Sequence, residues 1–202
     1  MNIALFDFDG TITFKDTFSL FIKQNVPKVR LIVGYLFLVP WIAGYKLGWI
    51  KGTQIRQKIV RIGFHGLDAT EFQKKGEFFA CEMIPKLVRE KAFQRIQWHL
   101  MQGDKVVVVS ASLDIYLAPW CRKNGLDLIC SNLESDQGLL TGKYAGQDCT
   151  GLEKKNRVLK TYNLKQYGKV YAYGDSVEDK ELLELADVAF YRWKEIGVHS
   201  RI

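Results

Sequence analysis

Three short apolar runs, at 3–8, 105–109 and 169–173, each give way to a polar cluster. Both faces of these runs are hydrophobic, which is the pattern of strands buried in a parallel sheet; a half-exposed strand would alternate. The first leads into Asp7-Phe8-Asp9-Gly10-Thr11, the second into Ser110-Ala111-Ser112 and the third into Gly174-Asp175-Ser176. Helical patterns at 113–124, 153–162 and 179–186 alternate with them. This order predicts an α/β fold, a doubly wound parallel sheet whose ligands bind beyond the carboxyl ends of the strands. The Asp and Ser residues stand at those ends.

Roughly ninety residues separate the first two runs, far more than the dozen or so a crossover helix needs. An inserted cap accounts for them, so the expected division is a core of 1–13 and 104–202 and a helical cap of 14–103. A chain of 202 residues fits one domain with such an insertion. Within the cap, Asp68 and Glu71 have capping-box spacing, and Pro85 opens a helix expected to run to 102. Residues 126–150, with Gly138, Gly142 and Gly146, read as a hairpin or loop excursion. Cys81, Cys121, Cys130 and Cys149 are scattered without metal-ligand spacing, so neither a zinc site nor a disulfide framework is expected. Met1 leads directly into the first apolar run without a cationic leader, which predicts a cytoplasmic protein.

Asp7-x-Asp9-Gly10-Thr11 after an apolar strand is either ordinary turn chemistry or a paired-carboxylate site. A calcium-binding EF-hand loop is excluded, because its twelfth position would be Phe18 instead of a bidentate Glu. Together with Ser110, Cys149-x-Gly151-x-x-Lys154 and Gly174-Asp175-Ser176-Val177-Glu178-Asp179, in that order, the pattern resembles the haloacid dehalogenase superfamily of phosphohydrolases. Within it the phosphoserine-phosphatase-like branch, with a helical cap after the first strand, is most similar. The residue chemistry supports this separately. Phosphoryl transfer needs a nucleophile, a proton carrier and concentrated positive charge around the equatorial oxygens. Asp7 is the expected nucleophile through an aspartyl phosphate, and Asp9 the general acid and base. Crowded carboxylates facing a phosphate call for a divalent cation, Mg2+ being the natural choice. The resemblance implies the Asp7 side chain, the Asp9 carbonyl and Asp175 as its ligands. It also implies Ser110 and Lys154 on the phosphate, with Lys155 the competing lysine, Thr11, Ala111 and Ser112 lining the substrate, and Asp179 in support. Glu178 stands where the branch often has Asn.

The cap should choose the substrate, a small-molecule or lipid phosphate monoester. Asp16 is expected either to hold a substrate amine or to cap a helix. Residues 14–103 carry a balance of +9 and the remainder −2, summing to the chain's +7. Residues 17–67 hold eight basic residues and no acidic one, Arg56 and Arg61 among them. Inside that stretch, 31–45 is uncharged, yet too short and too interrupted by Gly34, Pro40 and Gly44 for a membrane span. It reads as a buried cap hairpin or as an interfacial segment touching an anionic membrane from its inner face. The apolar run argues against nucleic acid as a partner. The apolar basic segment resembles that of the phosphatidylglycerophosphatase C type of enzyme, so the expected activity is a Mg-dependent phosphomonoester hydrolase acting on a lipid-linked or amphiphilic phosphate. The alternatives are a phosphatase of a soluble metabolite such as phosphoserine, a phosphotransferase and a non-catalytic phosphate-binding module.

Overall fold

The computed structural model describes residues 1–47, 49 and 52–197. Its centre is a six-stranded sheet in the order β3-β2-β1-β6-β7-β8, formed by β1 (Ile3–Phe6), β2 (Lys105–Leu113), β3 (Asp127–Ser131), β6 (Val170–Gly174), β7 (Val188–Tyr191) and β8 (Lys194–Ile196). All neighbours are parallel except the β7–β8 hairpin. The central strands β1, β2 and β6 are buried on both faces, with Ile3 and Leu5 packing among Val107, Val109 and Ala172 on one side. Ala4 and Phe6 pack among Val106, Val108 and Tyr173 on the other. The chain winds from β1 outward through β2 to β3, then returns to the opposite side of β1 with β6. The switch point between β1 and β6 is the crevice in which doubly wound sheets bind ligands.

Helices cover both faces. Those of the inserted segment are α1 (Thr17–Asn25), α2 (Lys28–Lys46), α3 (Gly52–Phe64) and α4 (Ala69–Glu82), followed by α5 (Glu90–Met101). The remaining helices are α6 (Asp114–Lys123), α7 (Leu152–Thr161) and the single-turn α8 (Lys180–Leu183). An antiparallel ribbon of β4 (Leu133–Asp136) and β5 (Leu139–Tyr144) leaves the core and packs on α3. Helix α5, placed in the inserted segment by sequence, packs on the sheet: His99 bonds to Tyr173 and Asp104, and its ring stands edge-on to Phe6. All four cysteines are unpaired.

Several sequence expectations are corrected. The apolar run 3–8 stops being a strand at Phe6, because Phe8–Ile12 coils into a tight turn closed by Thr13 N–H donating to the Phe8 carbonyl. The run 105–109 continues to Leu113, with its register against β3 slipping between Ser110 and Leu113. Pro85 lies in a short 3-10 turn, Ile84–Lys86, and the helix starts only at Glu90. The interruption lets Val88 bridge to Thr13 and Arg89 N–H reach the Ile12 carbonyl, tying the two ends of the insertion together. Within 126–150, residues Asp127–Ser131 are the edge strand β3, and only the ribbon is an excursion. The 179–186 helix is one turn, and β7 and β8 lie where no element was expected. Residues 31–45 form no hairpin: they lie inside the continuous helix α2. No described helix is long and apolar enough to cross a membrane.

Candidate active site

The ends of β1, β2 and β6, adjacent in the sheet, deliver Asp7, Ser110 and Asp175 to one edge. Asp7 follows β1 directly, its N–H donating to the Tyr173 carbonyl at 2.9 Å. The next turn needs Gly10, whose φ is +83°; a Cβ there would lie 2.2 Å from Asp175 Oδ2. Gly174 is required for a similar reason, since its Cβ would come within 2.5 Å of the Asp179 Cβ.

Lys154, near the start of α7, is buried between two carboxylates, with Nζ 2.6 Å from Asp7 Oδ1 and 2.6 Å from Asp179 Oδ1. The other oxygen of Asp179 accepts from Asp175 N–H, Ser176 N–H and the Ser176 hydroxyl, at 3.0–3.1 Å. Asp179 is therefore a bracket between the β6 loop and the lysine. Lys155 points elsewhere and pairs with Glu184 at 3.2 Å. Glu178 accepts from the Thr150 hydroxyl at 2.8 Å, outside the carboxylate cluster.

Asp9 has a different set of partners. One of its oxygens takes both the N–H and the hydroxyl of Thr17, at 2.7 and 2.6 Å. The other takes the Ser112 hydroxyl. Ser112 N–H in turn donates to Ser110 Oγ at 3.0 Å, which leaves the Ser110 hydroxyl hydrogen free to be given away. The Thr11 hydroxyl is buried and has no hydrogen-bond partner among the described residues. Asp16 caps α1, accepting from Phe18 N–H and Ser19, so both of its oxygens are engaged by the helix.

Electrostatics follow from this packing. Burial pushes the Asp7 carboxyl above the usual range, Lys154 opposes the shift, and the like charge of Asp179 adds to it. Burial raises Asp9 as well, with Ser112 and Thr17 opposing. Asp179 ends below the usual range despite its burial, because Lys154 and the backbone N–H groups favour its charged form. Carboxylate oxygens of Asp7, Asp175 and Asp179 lie within 4.8 Å of one another. An all-oxygen, multiply anionic donor set of this kind suits a hard divalent cation such as Mg2+. Asp7 and Asp175 are the side-chain ligands expected from sequence, and Asp179 stands with them in the cluster.

Several residues at the site carry no sequence signal that a motif would reveal. Thr17 lies eight residues after Asp9. Arg56 on α3 donates to the Ala111 carbonyl, stands 3.2 Å from Asp148, and lies 4.2 Å above the Phe18 ring. Arg89 bonds to the Gly10 and Thr13 carbonyls at 3.2 Å each. From the β7–β8 turn, Arg192 bonds to the Asp175 carbonyl at 3.0 Å and Trp193 to the Thr11 carbonyl at 3.2 Å. Arg61 lies on α3 outside this set, lining a groove against α2.

Comparison with known proteins agrees with the geometry. The family model for haloacid dehalogenase-like hydrolase matches residues 4–184. Protein CicA of Caulobacter vibrioides is 32% identical over 192 residues, covering 94% of this chain and 85% of that protein. The histidinol-phosphatase of Neisseria meningitidis serogroup C is 32% identical over 127 residues, 58% of this chain and 55% of that protein. A Bordetella pertussis protein of unknown function superposes with a TM-score of 0.77 at 22% identity, covering 94% of this chain and 89% of that one. A phosphoserine phosphatase solved as a phospho-aspartyl intermediate analogue gives 0.67 at 22% identity, covering 94% and 85%. With its family model spanning nearly the whole chain and its strand-end carboxylates in place, the protein belongs to the haloacid dehalogenase-like hydrolase family and has the fold of that family's phosphoserine-phosphatase-like enzymes.

Proposed function

We propose that the protein is a Mg2+-dependent phosphomonoesterase that works through an aspartyl phosphate on Asp7 and acts on an amphiphilic, lipid-linked phosphate. The observation that carries the reaction is the pairing of Asp7 with Lys154 at 2.6 Å while Asp9, two residues on, bonds to Thr17 and Ser112 instead. Two neighbouring carboxylates thereby have different environments and different tasks.

Asp7 attacks phosphorus in line, and the bond from phosphorus to the ester oxygen breaks. Asp9, whose burial favours the protonated form, gives its proton to the leaving oxygen. Asp9 then accepts a proton from the water that attacks the acyl phosphate, releasing inorganic phosphate and restoring Asp7. Lys154 meets the negative charge on the phosphoryl oxygens, and the Ser110 hydroxyl donates to one of them. Asp7 and Asp175, with the Asp9 carbonyl, would hold the metal ion, which would supply further positive charge at the phosphoryl group. Thr11 and the Ala111-Ser112 backbone line the phosphate pocket. The helices of 14–88 act as the cap, and α5 is grouped with the core on which it packs.

The amphiphilic substrate is supported by the cap's composition, with no acidic residue in 17–67 and an apolar helix within that stretch. A soluble ester is the second reading, supported by Arg56 at the Ala111 carbonyl and by the histidinol-phosphatase among the relatives. Phosphate release over a panel of phosphatidylglycerol phosphate in mixed micelles, phosphoserine, histidinol phosphate and an aryl phosphate separates the two. Preference for the micellar lipid supports the first. For the chemistry, acid-quenched labelling with a radioactive phosphate ester should trap label on the wild type and none on Asp7→Asn. Label on Asp7→Asn, or turnover unchanged by thorough chelation, would refute the nucleophile or the metal respectively.

A further inference from the structure

Helix α2 has apolar side chains around nearly its whole circumference, which in a water-soluble domain marks a buried helix. Only one side of it is covered. Gly34 and Leu38 face α3, with Gly34 approaching Ile62 closely. On the open side Ile32, Tyr35, Leu36 and Phe37 are 63–70% exposed, and Trp49 beyond the helix is 81% exposed. A contiguous patch of this kind marks an interaction surface.

Between α2 and α3 runs a groove of about 380 Å³ whose apolar walls include Val33, Phe37, Trp41 and Ile62. Lys58 and Arg61 complete it, the Lys58 ammonium standing 3.7 Å over the Trp41 ring. Neither cation has a carboxylate partner among the described residues. Arg30 likewise spends its guanidinium on the Gly63 and His65 carbonyls. Of the described basic side chains in 17–67, Arg56 alone reaches a carboxylate. An apolar face rimmed by uncompensated cations, with no acid in the whole stretch, is complementary to an anionic bilayer surface. A second copy of this chain fits poorly, since a two-fold interface would set one basic rim against another. Pro40 inside α2 removes the amide that would bond the Leu36 carbonyl, which water can satisfy at headgroup level and hydrocarbon cannot.

We propose that α2 lies in the plane of an anionic bilayer and that the α2–α3 groove takes an acyl chain, with Lys58 and Arg61 at the level of the lipid phosphates. The proposal deepens the lipid-phosphate reading above and rests on it for the purpose of docking, which is to bring the cap to a membrane-borne ester.

The test is co-sedimentation of the full chain with vesicles of phosphatidylcholine alone and with a minority of phosphatidylglycerol. The wild type should partition onto the anionic vesicles only. The double variant L36D/F37D should lose roughly tenfold or more of that partitioning, and K58Q/R61Q about tenfold. Both should hydrolyse a soluble aryl phosphate at the wild-type rate, which shows them folded. Equal partitioning onto both vesicle types, no partitioning at all, or full retention by both variants would overturn the proposal. Self-association abolished by L36D/F37D without vesicle binding would assign the face to a second copy and overturn it too. Docking without lipid-phosphate hydrolysis would instead sink the substrate reading alone, and hydrolysis of micellar lipid without docking would sink only the docking.

Discussion

Thr17 donates both its backbone N–H and its hydroxyl to a single carboxylate oxygen of Asp9, at 2.7 and 2.6 Å. The residue is the first of α1, so the start of the inserted segment fixes the orientation of the proposed general acid. Substrate recognition and proton transfer are joined at this point. A hydrogen bond to a charged group is worth about 1.5–3 kcal/mol. Thr17→Val, which keeps the N–H and removes the hydroxyl, should therefore lower kcat on an aryl phosphate by about 10–100-fold with KM little changed. Thr17→Ser should retain most activity. Steady-state kinetics of the two variants check this, and equal losses in both would assign Thr17 to packing.

Gly10 is the tightest steric constraint in the site. Its positive φ and the 2.2 Å approach of a Cβ to Asp175 Oδ2 mean that Gly10→Ala must displace either the turn or the carboxylate. Turnover should fall by at least about a hundredfold, and Mg2+ should be needed at higher concentration. Titration of activity with Mg2+ reads both effects. Wild-type Mg2+ dependence in the variant would show that Asp175 is not a ligand.

Arg56 ties α3 to the core through Asp148, whose other oxygen accepts from the Ser131 hydroxyl at 2.7 Å. Removing the guanidinium strands a buried carboxylate, an effect worth about 3–5 kcal/mol. Arg56→Ala should lower Tm markedly, and adding Asp148→Asn should restore much of the loss because no charge is then left unpaired. Thermal melts of the two single variants and the double variant form the cycle.

His99 is fully buried in a chain from Asp104 Oδ2, 2.9 Å from Nδ1, to the Tyr173 hydroxyl, 2.9 Å from Nε2. Burial holds its imidazole below the ordinary value, with Asp104 opposing. The folded protein thus keeps His99 neutral at a pH where the unfolded chain, titrating near 6.5, takes up a proton. Stability should be complete above about pH 6.5 and fall as pH drops below it, by at most about 1.4 kcal/mol per pH unit from this group. His99→Gln should remove that slope. Urea melts between neutral and mildly acidic pH measure it.

The sheet and its strand-end residues were legible in the sequence because buried parallel strands are hydrophobic on both faces and the motif residues follow them within a few positions. Asp7, Ser110 and Asp175 stand at those strands, Lys154 was named only from the Cys149-x-Gly151-x-x-Lys154 resemblance, and local helix-capping chemistry accounts for Asp16 and Asp68. The outer strands β3, β7 and β8 were not legible, since short, partly exposed strands lack that pattern and take their place from neighbours already formed. The same limit hid Thr17, Arg89, Arg192 and Trp193, and left open the place of Arg56, which the basic composition of the cap had singled out. Each reaches the site from a separate element, across sequence distances on which no periodicity or spacing acts. The composition of 17–67 also established that α2 is apolar and its surroundings basic. Which side of α2 stays uncovered was decided only when α3 packed against Gly34 and Leu38, because burial belongs to the assembled helices and not to either one alone.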